Sequence, residues 1–568
     1  MEKKSLPFAL AVLLGGTSLF VSGHVSNAEG QHPINQSIEN HENKTSTNQA
    51  HPVFSWGEPG PISPVLHPGS AKGAGMREAP LHEIDAIIET MIEEEVMPGA
   101  VAFVARRGHI VKEEAYGYAA RYTDDNKNEM EAPVTMQEDT IFDLASISKI
   151  FTTTAAMKLY EEGAFELDDP VANYIPEFAQ KGKDEVTIRQ LMTHTSGFTA
   201  WIPLYTQGND REDRLQIVFA HPLKNEPGTT YTYSDLNMIT LGALVERLSG
   251  KRLDQYVKEN ITDPLGMEDT MYDPPSSLKG RIAATEYQPW TDRGLVWGKV
   301  HDENAWSLDG VAGHAGVFST AQDLAKLAHM YVNEGRYGDE QILQPETVKL
   351  LVENQIPSFP GNDHGLGWEI QQGWFMDALS SESTVGHTGY TGTSVVVDLN
   401  NATIAILLTN RVHPTRNTVS TNIARRAFAR KFADSIPVSM NDKSPAWFSD
   451  YGDRLGRSLS AQVDLEEPAT LTFDSWYRIE PDYDFGNIEV SEDGENWTQI
   501  HEPLTGSKDW SEIAVRIPAG AKHIRFTYKT DSYTNGRGWY LDNLRLTLQD
   551  ETVLTPEWSG EGWSQRRF

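Results

Sequence analysis

Apolar residues recur at helical spacing through Leu81, Ile84, Ile87, Ile88, Met91 and Ile92, and this period predicts an early amphipathic helix. The run Ala100–Ala105 that follows is continuously apolar, as expected of a strand buried on both faces, and Gly108 marks a hairpin turn after it. Further on, helix-like segments at 238–249, 321–333 and 418–433 alternate with short β runs at 394–398 and 403–409. The pattern predicts an α/β core: a mainly antiparallel sheet with flanking helices and a helical subdomain inserted between its strands. After about residue 440 the texture changes. Leu471, Phe473, Tyr477 and Ile479 alternate with Thr472, Asp474, Arg478 and Glu480, and two further alternating runs are Ile524, Phe526, Tyr528 and Leu544, Leu546. Turn pairs such as Asp493-Gly494 and Asn535-Gly536 separate these runs, so residues 445–568 are predicted to form an all-β sandwich that is separable from the first part. Seven of the fourteen tryptophans fall there, a density read as sandwich core ahead of a sugar platform.

The start of the chain has a different character. Lys3 and Lys4, the apolar stretch Leu6–Phe20 and the small residues Ser26-Asn27-Ala28 read as a secretory signal over 1–28. The apolar stretch is broken by Gly15, Gly16, Thr17 and Ser18 and is too short to span a bilayer, and no later stretch is long enough. Export to the medium or the cell wall is expected. Residues 29–75 carry no apolar period and read as a disordered linker whose histidines (His32, His41, His51, His67) lack metal-ligand spacing. The domain plan is therefore signal 1–28, linker 29–75, α/β core 76–437 and accessory sandwich 445–568.

Composition narrows the partners. Cysteine is absent, which removes disulfides and thiolate zinc sites. A formal net charge of -33 is repelled by nucleic acid and anionic lipid, so neither is an expected partner. No cofactor is expected. In the last domain Asp542 shares strand parity with Leu544 and Leu546 and is expected to face inward, where calcium is one candidate partner for a buried carboxylate.

The most informative string is Ser146-Ile147-Ser148-Lys149. Residues three apart share a helix face, so the Ser146 hydroxyl and Lys149 amine can meet. The apolar run from Ile150 to Leu159 is expected to desolvate Lys149, lowering its pKa so that the amine can accept or share a proton. Two elements follow in order: Tyr231-Thr232-Tyr233-Ser234-Asp235-Leu236-Asn237, and Gly386-His387-Thr388-Gly389-Tyr390-Thr391-Gly392-Thr393.

Together these resemble the S-x-x-K, Y-x-N and K-T-G set of class C β-lactamases, penicillin-binding proteins, D-aminopeptidases and related esterases. The resemblance implies a β-lactamase/transpeptidase-like fold, with Ser146 as nucleophile and Lys149 and Tyr233 sharing the proton transfer. It implies an oxyanion held by the backbone N–H groups of Ser146 and Tyr390. Asp235 stands in place of Asn, an acceptor where an amide usually holds substrate. His387 stands in place of Lys, before Thr388 and Gly389, and is expected to contact a substrate carboxylate or the Tyr233 hydroxyl; poor β-lactam hydrolysis follows. The strings Leu191–Phe198, Val300–Ala305, Gly310–Thr320 and Leu408–Arg416 resemble more narrowly Bacillus-type secreted N-acetylmuramyl-L-alanine amidases of cell-wall recycling, over residues 70 to 437. His301 and His314 are expected beside the cleft, in packing roles or in substrate contact; with Asp302 and Glu303 they fit no zinc pattern, so no metal is assigned.

The expected activity is a serine hydrolase cleaving the N-acetylmuramic acid–L-alanine amide of peptidoglycan fragments, or other small amides and esters. Its rivals are an esterase, a D-aminopeptidase or DD-carboxypeptidase of the same fold, and an inactive wall-binding or penicillin-sensing protein. The intact Ser146, Lys149 and Tyr233 weigh against the last.

Overall fold

A computed structural model describes residues 60–440 and 444–567. The expected export signal and the first thirty-one residues of the expected linker (29–59) lie outside the described residues.

An eight-stranded sheet organises the first part. Its strands run in the order His67–Pro68, His109–Tyr122, Gly99–Arg106, Thr403–Thr409, Ser394–Asp398, Thr384–Thr388 and Glu369–Ile370, with Glu129–Thr135 paired to the long second strand. All these pairings are antiparallel except that of His67–Pro68. Period-two alternation explains why Gly99–Arg106 has no polar face. Ala100, Ala102 and Val104 pack against the helices Glu78–Glu93 and Asn422–Ser435, while Val101, Phe103 and Ala105 pack on the opposite, larger core. That larger core takes in Ser148–Glu161, Asp235–Ser249 and Ala321–Val332, part of the insertion between strands Glu129–Thr135 and Glu369–Ile370. The predicted helices and strands fall where the periodicity puts them, with helix ends shifted by a few residues. Among the described residues no helix is long and apolar enough to cross a membrane.

One boundary differs from expectation. Residues 60–75, assigned to the linker, lie on the sheet: His67–Pro68 pairs in parallel with His109–Ile110, and Ala71, Ala74 and Met76 are buried. Short, Gly- and Pro-rich chain has no period to read, yet it closes the sheet edge with backbone hydrogen bonds such as His67 N–H to Gly108 O at 2.9 Å.

The C-terminal part is built of two sheets. One runs Gly506–Ile517, Ala469–Ile479, Gly538–Thr547, Ala446–Phe448, Ser564–Arg566; the other runs Thr498–Gln499, Phe485–Ser491, His523–Lys529, Gly456–Gln462, Trp558–Glu561. Leu471, Phe473, Ile479, Ile488, Phe526, Tyr528, Trp539 and Leu546 fill the space between them. Asp542 is buried, as expected. Pairing is irregular at Thr472/Asp474 and Asn543 takes φ 52°, so the alternation resets and Asp542 stands opposite Asp474.

The two parts form one compact unit. Arg430 binds Asp377 of the first part (2.8 Å) and both Asp453 (2.6 Å) and the Tyr533 carbonyl (2.8 Å) of the second, while Arg566 reaches Asp434 at 2.6 Å. Burial pushes the fully covered Asp377 carboxyl up to about 6 against the pull of Arg430. Separability at residue 440 therefore has a cost. A chain ending at Ser435 is expected to keep hydrolysis of small esters but to unfold about 5 °C or more below the full chain, read by differential scanning calorimetry. Equal midpoints would show that this seam adds no stability.

Candidate active site

The chain reaches Ser146 through a strained turn. Ala145 takes φ 47°, an unusual conformation for a residue with a β-carbon, and its N–H donates to Asp143 Oδ1 at 2.8 Å. Asp143 is itself buried and accepts the His301 N–H at 2.6 Å through its other oxygen. The short 3₁₀ turn Ala145–Ile147 then leads into helix Ser148–Glu161. Between residues 141 and 150 only Ser146 is not fully buried. Ser148, the other serine of the tetrad, is buried and accepts the Val317 N–H at 3.0 Å, which leaves Ser146 as the one that can meet a substrate.

Lys149 is fully buried and its ammonium has defined partners. It donates to Ser146 Oγ at 2.9 Å and to the His314 carbonyl at 3.2 Å, and pairs with Asp235 Oδ1 at 2.9 Å. The Tyr233 ring lies 4.7 Å away, and its hydroxyl interacts with both Lys149 and Ser146. The His314 carbonyl comes this close because the chain passes directly over helix Asp235–Ser249. A β-carbon on Gly313 would sit 1.9 Å from the Met238 carbonyl, so only glycine fits there.

The electrostatics correct one expectation. Burial does push the Lys149 pKa down, but the Asp235 and Tyr233 charges outweigh it and the net shift is upward. The amine is held protonated. Asp235 is thus engaged with the lysine, where the sequence comparison placed it toward substrate. Burial raises the Tyr233 pKa, with Lys149 opposing and Asp235 adding to the rise. Removal of the Ser146 proton therefore needs a pair whose last proton is tightly held. Asp235→Asn removes the charge that holds it, so the ascending limb of the kcat/KM–pH profile is expected to move about 1 unit or more to lower pH. An unmoved limb would sink this reading of Asp235.

Strand Thr384–Thr388 supplies the opposite wall. His387 is 1 % exposed; its Nδ1 lies 2.8 Å from the Thr388 carbonyl and burial pushes its pKa down to about 3. It is a neutral ring packed 6.0 Å from Tyr233, where a lysine would have offered a fixed charge. His194 packs on the other side at 4.7 Å and accepts the Ser234 N–H at 3.1 Å, fixing the Tyr233 loop. After the strand, Thr391 Oγ1 and Thr393 Oγ1 donate to the Asp143 and Leu144 carbonyls at 2.8 and 3.2 Å, clasping Tyr390 beside the Ser146 turn.

His301 and His314 are placed behind the cleft surface. Both rings are buried, with Nε2 against Glu286 at 2.9 Å and Asp302 at 2.8 Å respectively. Asn304 is occupied likewise: it accepts from Tyr205 N–H and donates to the Ile202 carbonyl. His301 instead supports Tyr390, stacked on it at 5.7 Å, and Tyr390 is 55 % exposed. The sequence reading missed the rest of this rim. Arg416 lies 5.6 Å from the Tyr390 ring centre and 5.0 Å from that of the exposed Trp290, and pairs with Glu286 and Glu303. Burial opposes ionisation of Glu286, but His301 and Arg416 hold it down to about 2. Arg416 ends the quoted string Leu408–Arg416; nothing in the sequence pointed to Glu286 or Trp290.

Asp235, Asp302 and His314 bring ligand atoms within 4.8 Å of one another, a spacing a metal ion can use. The Lys149 ammonium already provides positive charge at that point, through Asp235 and the His314 carbonyl.

The β-lactamase family model matches residues 84–430. The chain belongs to the β-lactamase family of serine hydrolases. It is 36% identical over 385 residues to a protein of Escherichia coli K12 named "Putative D-alanyl-D-alanine carboxypeptidase", covering 62% of this chain and 86% of that one. A protein of the same name from Salmonella agona is 34% identical over 384 residues, covering 62% and 87%. Among solved structures, EstCE1, described as a hydrolase with promiscuous acyltransferase activity, superposes with a TM-score of 0.50 at 23% identity, over 63% of this chain and 98% of its own. That likeness speaks to the fold alone. Family membership accounts for the order of the three motifs and for their meeting at Ser146.

Proposed function

We propose that this β-lactamase-family hydrolase cleaves the amide between the lactyl group of N-acetylmuramic acid and L-alanine in peptidoglycan fragments, outside the cell membrane. Once the Lys149–Tyr233 pair has lost a proton to solvent, Ser146 Oγ bonds to the lactyl carbonyl carbon as its own proton passes to that pair. The C–N bond breaks, the proton moves to the departing L-alanine nitrogen, and water then hydrolyses the Ser146 ester to give the sugar acid and an intact peptide. Backbone N–H groups of Ser146 and Tyr390 carry the oxyanion.

The observation that carries this reading is the rim of Tyr390, Arg416 and Trp290, two exposed rings bridged by a guanidinium at the mouth of the site. Exposed aromatic faces of this kind suit the apolar face of a sugar ring. The neutral, buried His387 supports it further, since a substrate recognised by a free C-terminal carboxylate has no fixed charge to meet there.

A second reading, DD-carboxypeptidase, is favoured by the name of the Escherichia coli and Salmonella relatives. Mass spectrometry of a muropeptide digest separates the two. Free sugar with intact stem peptide supports the amidase, release of terminal D-alanine alone supports the carboxypeptidase, and turnover of short-chain esters alone overturns both.

A further inference from the structure

In the C-terminal sandwich, the loops that follow strands Ala469–Ile479 and His523–Lys529 gather carboxylates. Carboxylate oxygens of Glu480, Asp484 and Asp531 all lie within 4.8 Å of one another. Asp484 is 0 % exposed; its Oδ1 accepts the Asp531 N–H at 2.8 Å, but its Oδ2 has no hydrogen-bond partner among the described residues. Glu480 Oε2 is buried and equally unpartnered. The buried hydroxyl of Tyr528 has no partner either, and after burial its strongest electrostatic influence is Asp484. No lysine or arginine among the described residues forms an ion pair with any of the three acids; Arg430 stops at Asp453 and the Tyr533 carbonyl.

Two orphan carboxylate oxygens in a low-dielectric pocket, with a third carboxylate beside them, are strongly unfavourable unless something positive lies between them. The donors are all hard oxygens, with neither imidazole nor thiolate, and three carboxylates supply up to about six ligand atoms before any carbonyl or water is counted.

We propose that Glu480, Asp484 and Asp531 form a calcium-binding site that ties loop 479–485 to loop 530–535. Asp531 is the most open of the three to solvent and gives the ion its way in. The second loop also carries the Tyr533 carbonyl that Arg430 grips from helix Asn422–Ser435, so the ion stiffens the seam between the sandwich and the hydrolase core.

The test uses the full chain stripped with a chelator, then titrated with calcium chloride, with terbium luminescence as the binding probe. Calcium is expected to raise the unfolding midpoint by about 5 °C or more at saturating concentration, with magnesium giving a smaller rise. Asp531→Asn, at the exposed side, is expected to weaken calcium binding at least about 10-fold while leaving the calcium-free midpoint and ester hydrolysis unchanged. Asp484→Asn is expected to lose the calcium response yet to melt no lower than the stripped wild type, because it relieves an orphan charge. A midpoint and luminescence indifferent to calcium, or wild-type calcium binding by Asp531→Asn, overturns the site; if Asp484→Asn fails to fold, Asp531→Asn decides alone.

Discussion

Ser146→Ala is expected to lose on the order of 10⁴-fold or more of kcat on every substrate, with thermal unfolding unchanged. The geometry argues both halves. Ser146 is the one residue of its turn that is open to the cleft, and the Lys149 ammonium points at its oxygen from 2.9 Å. When that hydroxyl is removed, Lys149 keeps Asp235 and the His314 carbonyl, so no buried charge is orphaned. Ser148→Ala provides the contrast. Its hydroxyl is a buried acceptor for Val317 N–H, so that variant is expected to cost about 1–3 kcal/mol of stability and little of kcat. Steady-state kinetics and calorimetry on both variants read the outcome. Near-wild-type turnover by Ser146→Ala, or a dead but stable Ser148→Ala, would reverse the assignment of nucleophile.

The legible parts of the fold are those whose sequence signal is local. Strands 394–398 and 403–409 are buried on both faces and appear as unbroken apolar runs, so periodicity alone finds their ends. Ser146, Lys149 and Tyr233 are found by motif order. The charge state of Lys149 is not, because the carboxylate that sets it lies 86 residues further along the chain and meets it only in the folded protein. The same holds for the rim: Glu286, Trp290 and Arg416 come from segments that share no motif and are joined by ion pairs and ring contacts. The register around Asp542, which is buried as expected, is not legible, because strand parity carries through a sequence until a bulge breaks it and Asn543 gives no warning that its φ is positive. The pairing of residues 60–75 is hidden in the sequence for a related reason. A chain that pairs through its backbone needs no apolar side-chain period, so its composition resembles that of a linker.

Gly389→Ala is expected to lower kcat by about 10²-fold or more, although it adds a single methyl group and touches no reacting atom. Gly389 lies in the turn that follows strand Thr384–Thr388, where its N–H donates to the Thr393 carbonyl at 2.8 Å. A β-carbon there would stand 2.1 Å from Thr393 Oγ1 and 2.4 Å from the Leu144 carbonyl oxygen. The Leu144 carbonyl belongs to the backbone that turns into Ser146, so it cannot swing aside as a side chain would. Arg425 fixes the other side of the turn by donating to the Gly389 and Thr393 carbonyls at 2.8 and 2.9 Å. The added carbon must therefore drive the turn and the Ser146 loop apart, which moves the Tyr390 N–H away from the oxyanion position. Overpacking of this kind costs about 1–3 kcal/mol of stability, too little to unfold the chain but enough to displace a donor that has to be placed within a fraction of an ångström. The loss should fall on kcat more than on KM, because the exposed face of Tyr390 remains available to bind substrate. Removing the Thr393 side-chain oxygen in the double variant Gly389→Ala/Thr393→Ala relieves only one of the two overlaps, so little activity should return. Kinetics of the single and double variants, beside their unfolding midpoints, check this directly: a single variant within twofold of wild type, or full recovery in the double, would show that the approach to the Leu144 carbonyl does not position the oxyanion donor.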